Sequence, residues 1–253
     1  MGGDTIKDGA DGRGVGSWPR PRSGFFSCIS CISWFLSFFS LCVVGAQVAP
    51  AKPSPPPSAS LLANGDFEQA DPAERTKPAG WDRPDGLGVQ WTEAPADPGG
   101  APHGKAIRMD TAVSEKATVE QWRKTGLTQW DIPKPANSAV AETYGLSYYS
   151  APMPVKPGQA YRVSFDFKGA SGGAKVWVRG WGMFNGQKRR RWETIVNCHV
   201  KSSQWTHLSQ VFHPTRNRPE VTEMRVMLYA YYPAGVYWFD NVKIEPVAES
   251  GVK

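Results

Sequence analysis

"QAYRVSFDFKGA", Gln159 to Ala170, is the stretch on which the fold turns. Tyr161, Val163, Phe165 and Phe167 fall on one side of an extended chain, and Arg162, Ser164, Asp166 and Lys168 on the other. This period of two belongs to a strand with one face in a core. Pro157-Gly158 supplies the turn that introduces it. Outward from this stretch the pattern recurs. In "AKVWVRGWGMF", Val176 and Val178 oppose Trp177, Arg179 and Trp181. Asn185-Gly186 marks a hairpin turn, and "RWETIVNCHV" is its return strand. "SQWTHLSQVFH" and "VTEMRVMLYAYY" follow, the latter setting Val226 and Leu228 against Arg225, Met227, Tyr229 and Tyr231. "GVYWFDNVKIEP" closes the set, and "KAIRMDT" and "GLSYYSAPMPV" precede it. Seven to nine short strands with turn residues between them predict an all-β sandwich of two antiparallel sheets. One short helix is expected over Ser114–Lys124, capped by Ser114 and stopped by Gly126, inside a polar insertion from Thr111 to Glu142.

Composition supports this class. The 253 residues include 26 Gly, 22 Pro and 11 Trp, which favours many turns between short strands over long helices. The net charge is +6, with acidic and basic residues interspersed, a balance that does not argue for nucleic acid. The first 46 residues stand apart. Phe25–Val44 carries no charge, follows Arg20 and Arg22, and ends in small residues before Gln47. Residues 1–46 therefore read as a secretory signal, with an uncleaved membrane anchor as the rival reading; either places the body outside the cytoplasm. A Pro-rich linker, 47–60, leads to the folded domain, 61–247, and a short tail, 248–253. The segment before Gln47 holds four Lys/Arg and three Asp/Glu, which leaves 25 and 20, so a balance of +5 belongs to the remainder. Cys28, Cys31 and Cys42 lie in the apolar run, and Cys198 alone remains in the body, where it reads as a buried small hydrophobe.

Six motifs occur in a familiar order: "LLANGDFEQ", "PAGW", "HGKAIRM", "VKPGQAYRVSFDFKG", "SSQWTHLSQVF" and "YWFDNVKI". Together, over Leu61 to Pro246, they resemble the galactose-binding-like jelly-roll carbohydrate-binding modules attached to cellulases and xylanases. The resemblance implies a jelly-roll sandwich whose first and last strands lie close together. It also implies a structural calcium ion held there by Glu68 and Asp240, with backbone carbonyls near Asn64–Asp66 and Gly104–Lys105 completing the shell. A cation suits two carboxylates that would otherwise repel each other near a core. The plain alternative has Asp240 bonded to backbone amides or a Lys and Glu68 solvated.

For function, the aromatic and basic face decides. Trp177, Arg179 and Trp181 on one strand and Arg225, Tyr229 and Tyr231 on another are the expected ligand-binding residues. Flat rings receive the C–H face of a sugar and Arg side chains its hydroxyls. The competing reading has this face covered by the insertion. Trp205, Phe165, Phe167 and Phe239 read as core, and Trp81 as a plug at one end. Catalysis is not expected. Glu142, Glu193 and Glu223 form no assignable pair, no nucleophile motif is present, and His199, His207 and His213 lack zinc spacing. "KRRRW", Lys188–Trp192, reads as a solvated hairpin tip or a contact for anionic glycans. The sequence thus points to a secreted, non-catalytic module whose partner is a poly- or oligosaccharide, with no nucleic acid and a membrane only if the N-terminal segment is uncleaved. A structural or adhesion module on the same fold is the alternative.

Overall fold

The computed structural model describes residues 59–100, 102–124, 138, 140–169, 172–199 and 202–248. The expected signal segment, most of the linker and nearly all of the tail lie outside the described residues, as do Gly126 and the middle of the insertion. Ten strands follow in chain order: β1 (Val89–Glu93), β2 (Lys105–Asp110), β3 (Leu146–Tyr149), β4 (Met153–Pro154), β5 (Ala160–Gly169), β6 (Ala174–Phe184), β7 (Gln187–Cys198), β8 (Ser202–Phe212), β9 (Val221–Ala230) and β10 (Val236–Val247). Among the described residues there is one α-helix, α1 (Glu115–Lys124), which begins where expected, with Ser114 Oγ accepting from the Ala117 amide at 3.2 Å, and one π-helical turn, Val140–Tyr144.

Two antiparallel sheets form a jelly-roll β-sandwich. The first runs β1-β2-β10-β5-β8; the second runs β3-β9-β6-β7, with β4 also on β9. The alternating residues of the sequence meet between them. Val163, Phe165, Phe167, Phe239 and Ile244 from the first sheet, and Val176, Val178, Val226 and Leu228 from the second, are all fully buried in one cluster. Cys198 joins it, and burial pushes its thiol pKa well above the ordinary range. Trp81 is buried at the edge of this core, stacked on Tyr148 at 5.6 Å with its Nε1 donating to the Asn64 carbonyl.

The structure corrects three expectations of detail. Trp205 is only half-buried. It shares strand parity with His207, and Leu208 and Phe212 take the core side, so its ring falls on the outer face. There it stacks on His103 at 4.2 Å and donates from Nε1 to the Pro95 carbonyl. "GLSYYSAPMPV" is not one strand but two, β3 and β4, separated by Ser150–Pro152. Finally, "LLANGDF" does lie against the last strand, through Leu61 N–H to Ile244 O and Val242 N–H to Gly65 O, but as a series of turns. Asn64 and Phe67 sit there at φ 50° and 55°, which breaks any ladder.

Candidate functional site

The outer face of the second sheet is built by the same alternation that builds the core. With Val176 and Val178 inward on β6, Trp177, Arg179 and Trp181 must point outward. On β9, inward Val226 and Leu228 leave Arg225, Met227 and Tyr229 outward. The two strands are hydrogen-bonded neighbours, so these residues form a single surface. Their register places Lys175 opposite Tyr229, Trp177 opposite Met227, Arg179 opposite Arg225 and Trp181 opposite Glu223. β7 extends the face with Ile195 opposite Trp177 and Glu193 opposite Arg179. Tyr149 of β3 pairs with Met227 from the other side.

Arg179 occupies the centre of this face. Its guanidinium lies over the Trp177 ring, 4.7 Å from the centroid, and forms an ion pair from Nε to Glu193 at 3.3 Å. Its Nη1 donates to the Tyr149 hydroxyl at 3.3 Å and approaches Met227 Sδ at 3.2 Å. Three donors in this neighbourhood are buried with no hydrogen-bond acceptor: Trp177 Nε1, Arg225 Nε and Arg179 Nε, the last with only the ion-pair contact to Glu193. Such groups carry a desolvation cost until something accepts from them.

The expected aromatics do not serve alike. Tyr229 and Tyr231 stack on each other at 5.5 Å, and Lys175 Nζ sits over Tyr231 at 4.8 Å. The Tyr229 hydroxyl donates to the Tyr144 carbonyl at 3.2 Å, so the returning end of the insertion covers this end of the face. Burial raises the Tyr229 pKa, with Tyr231 adding to it. Trp177 has one ring face taken by Arg179. Trp181 differs: it is half-buried and has no ring or cation partner among the described residues. A bulge on either side of it sets its direction, between Gly180 and Trp181 toward β7 and between Trp181 and Gly182 toward β9. Gly182 makes the second possible, because a Cβ there would stand 1.8 Å from the Glu220 carbonyl oxygen.

Asp240 lies on the other sheet. It is on the outward side of β10, opposite Asp166 of β5, yet fully buried under the segment before β2. His103 Nδ1 lies 3.1 Å from its Oδ2, and its Oδ1 accepts from the Asn241 amide at 2.6 Å. Asn241 Nδ2 in turn donates to Asp166 Oδ2 at 2.8 Å, and His207 Nδ1 lies 2.8 Å from Asp166 Oδ1. Burial pushes the Asp240 pKa up to about 6, with Asp166 adding to it and the His103 and Asn241 hydrogen bonds working against it. Glu68 is exposed, and its Oε1 accepts from the Lys105 amide at 2.7 Å. Both carboxylates therefore reach one turn, residues 103–105, where Gly104 has φ 72° and a Cβ would stand 2.0 Å from Glu68 Oε1.

This donor chemistry fits a calcium ion in part. Two hard carboxylates share a turn, and one of them is a buried acid short of positive charge. The carbonyls are less free. Asn64 O already accepts from Phe67 N–H and Trp81 Nε1, Gly65 O from Val242 and Gly104 O from Ala94. Among the described residues no group of three or more His, Cys, Asp and Glu has metal-holding geometry. His103 was not singled out by the sequence reading, although "HGK" was; its partnership with Asp240 spans 137 positions and leaves no local pattern.

The remaining acids and histidines disperse. Glu193 is shared between Arg179 and Arg190, and Glu223 pairs with Lys188 at 2.7 Å. His213 contacts Arg216, and His199 is exposed.

No family model matches the chain, and no curated protein matches it. Among solved structures, it is similar to a family 16 carbohydrate-binding module at 14% identity, with a TM-score of 0.39, over 66% of this chain and 90% of that one. It is also similar to the CBM22-1 xylan-binding domain of Xyn10C from Paenibacillus barcinonensis, at 13% identity and a TM-score of 0.42, over 78% of this chain and all of that one. A third is TmCBM61 in complex with β-1,4-galactotriose, at 12% identity and a TM-score of 0.38, over 75% of this chain and all of that one. These neighbours are carbohydrate-binding modules.

Proposed function

We propose that this protein is an exported, non-catalytic carbohydrate-binding module and that the outer face of the β3-β9-β6-β7 sheet is its binding surface. The observation that carries this is the cross-strand register. It places Trp181, Arg179, Arg225 and Trp177 on one surface, with three buried donors lacking hydrogen-bond acceptors. A saccharide suits this surface, with a C–H face for Trp181 and hydroxyl oxygens for the arginine side chains. Glu193 and Glu223 are held in ion pairs with Arg and Lys, which suits structural anchors of the face better than a pair of hydrolytic acids. The Tyr144–Tyr229 contact is what favours the adhesion reading, since it closes one end of the surface. Glycan-array binding by the purified protein separates the two: retention of a saccharide family supports the module, and binding to none removes it.

Export is tested on the culture medium. The extracellular product is expected to begin near Gln47; a product that starts at Met1 favours an anchor instead.

Calcium is proposed at Glu68 and Asp240. Bound there, the ion would neutralise the two acids and tie the N-terminal turns to the 103–105 turn. Calcium is expected to raise the melting temperature and chelation to lower it, with Asp240→Asn insensitive to both. At 100-fold excess over its Kd, a ligand of the folded state stabilises by about 2.7 kcal/mol. Superimposable melting curves with calcium and with chelator remove the ion from this site.

A further inference from the structure

We infer that the glycan taken by this face is an acidic one, with a carboxylate or sulfate group seated between Arg179 and Arg225; the inference rests on the glycan-binding reading above. The two arginines are directly opposed on β6 and β9 and share the outer face. Like charges in that register destabilise a sheet unless something lies between them. Glu193 is the counter-charge on Arg179, and it is divided, 3.3 Å from Arg179 and 3.4 Å from Arg190. The Arg225 side chain makes no hydrogen bond or ion pair among the described residues, and its Nε is buried without an acceptor. Its charge lowers the pKa of Asp82 only at a distance, against a larger rise from burial. One position along, Trp177 Nε1 is a further buried donor without a partner. In the other direction Glu223 is already neutralised by Lys188.

The centre of the face thus offers donors and unbalanced positive charge. A neutral sugar hydroxyl would satisfy a donor but leave the Arg179–Arg225 repulsion in place. A planar or tetrahedral oxyanion satisfies both, and the guanidinium fork is matched to such groups. The exposed run Lys188, Arg189, Arg190 continues the positive potential past the end of the same sheet, which would draw a polyanionic chain along β6 and β7.

The test measures binding of the purified protein at fixed low salt to polygalacturonate, to the same polymer with its carboxyl groups reduced, to dextran sulfate and to a neutral xylan. One of the acidic polymers is expected to bind roughly 10- to 100-fold more tightly than the carboxyl-reduced polymer, the scale of a charge-assisted contact. Which acidic polymer wins identifies carboxylate or sulfate as the anchor. Arg225→Gln should abolish the preference while melting no lower than the parent, because it relieves the cross-strand repulsion. Arg162→Gln, exposed on β5 of the other sheet, should retain it. Equal affinity for acidic and neutral polymers, or equal losses in Arg225→Gln and Arg162→Gln, overturns the acidic ligand and leaves glycan binding standing. Failure to bind any glycan, acidic or neutral, overturns the underlying reading and this inference with it.

Discussion

Phe239→Ala is expected to destabilise the fold by about 3–5 kcal/mol, the range for emptying a large aromatic site in a packed core. Phe239 is fully buried in β10, the middle strand of the first sheet, opposite Ile107 of β2 and Phe167 of β5. Its ring contacts Phe167 at 5.4 Å and Phe165 at 6.4 Å. No nearby side chain has the freedom to collapse into the space, because the neighbours are themselves fixed between two sheets. Denaturant titration reads the loss, and in a chain of this size it corresponds to a fall of about 10 °C in melting temperature. Trp205→Ala is the internal comparison. Its ring is half-buried over His103, and its loss should cost only about 1 kcal/mol, near the worth of one aromatic pair. Equal losses in the two variants contradict the assignment of Trp205 to the outer face.

The second large effect is on binding. Trp181→Ala should weaken glycan affinity by about 5- to 150-fold, corresponding to roughly 1–3 kcal/mol for a lost stacking platform, by analogy with base stacking. Trp181 is chosen over Trp177 because its ring carries no cation, whereas the Trp177 ring already lies under Arg179. The fold should melt within a few degrees of the parent, since the inward positions on either side, Val178 on β6 and Val226 on β9, are untouched. A variant that unfolds, while its residual folded fraction binds as before, would assign Trp181 to packing and move the site elsewhere.

The sandwich was legible because β5, β6 and β9 alternate over most of their length, so their core side follows from the residues alone. The outward side of Trp177, Arg179, Trp181, Arg225 and Tyr229 was legible for the same reason, whereas Tyr231 lies just past the end of β9 and meets Tyr229 by stacking. Where the alternation stops, so does the reading. β1, Val89–Glu93, is short and lies at an edge with partly exposed residues, and it went unnoticed. Trp205 reads as core from its place in the strand pattern, but it has the opposite parity to Leu208, which takes the core side. What no local pattern contains is register. That Arg179 faces Arg225, and that His103 reaches Asp240, depends on how distant strands slide against each other. The chemistry of the proposed site lies in that register and not in the composition of either strand.

The position of β7 has one more consequence, for how molecules of this protein coexist at high concentration. Among the described residues β7 is the last strand of its sheet and is 12 residues long, so one row of its backbone amides and carbonyls has no neighbouring strand there. A bare edge of that length is a template on which a second copy can add its own strand. Lys188, Arg189, Arg190 and Arg191 occupy its first half, and two copies brought edge to edge would press these cations together. The basic run therefore protects solubility as well as extending the charge of the face. That protection rests on electrostatics alone, so salt screens it and a bound polyanion neutralises it. A long acidic chain threaded along this edge would bring several molecules side by side while removing the repulsion that keeps them apart. Clustering on the polymer is then a property of the edge strand itself.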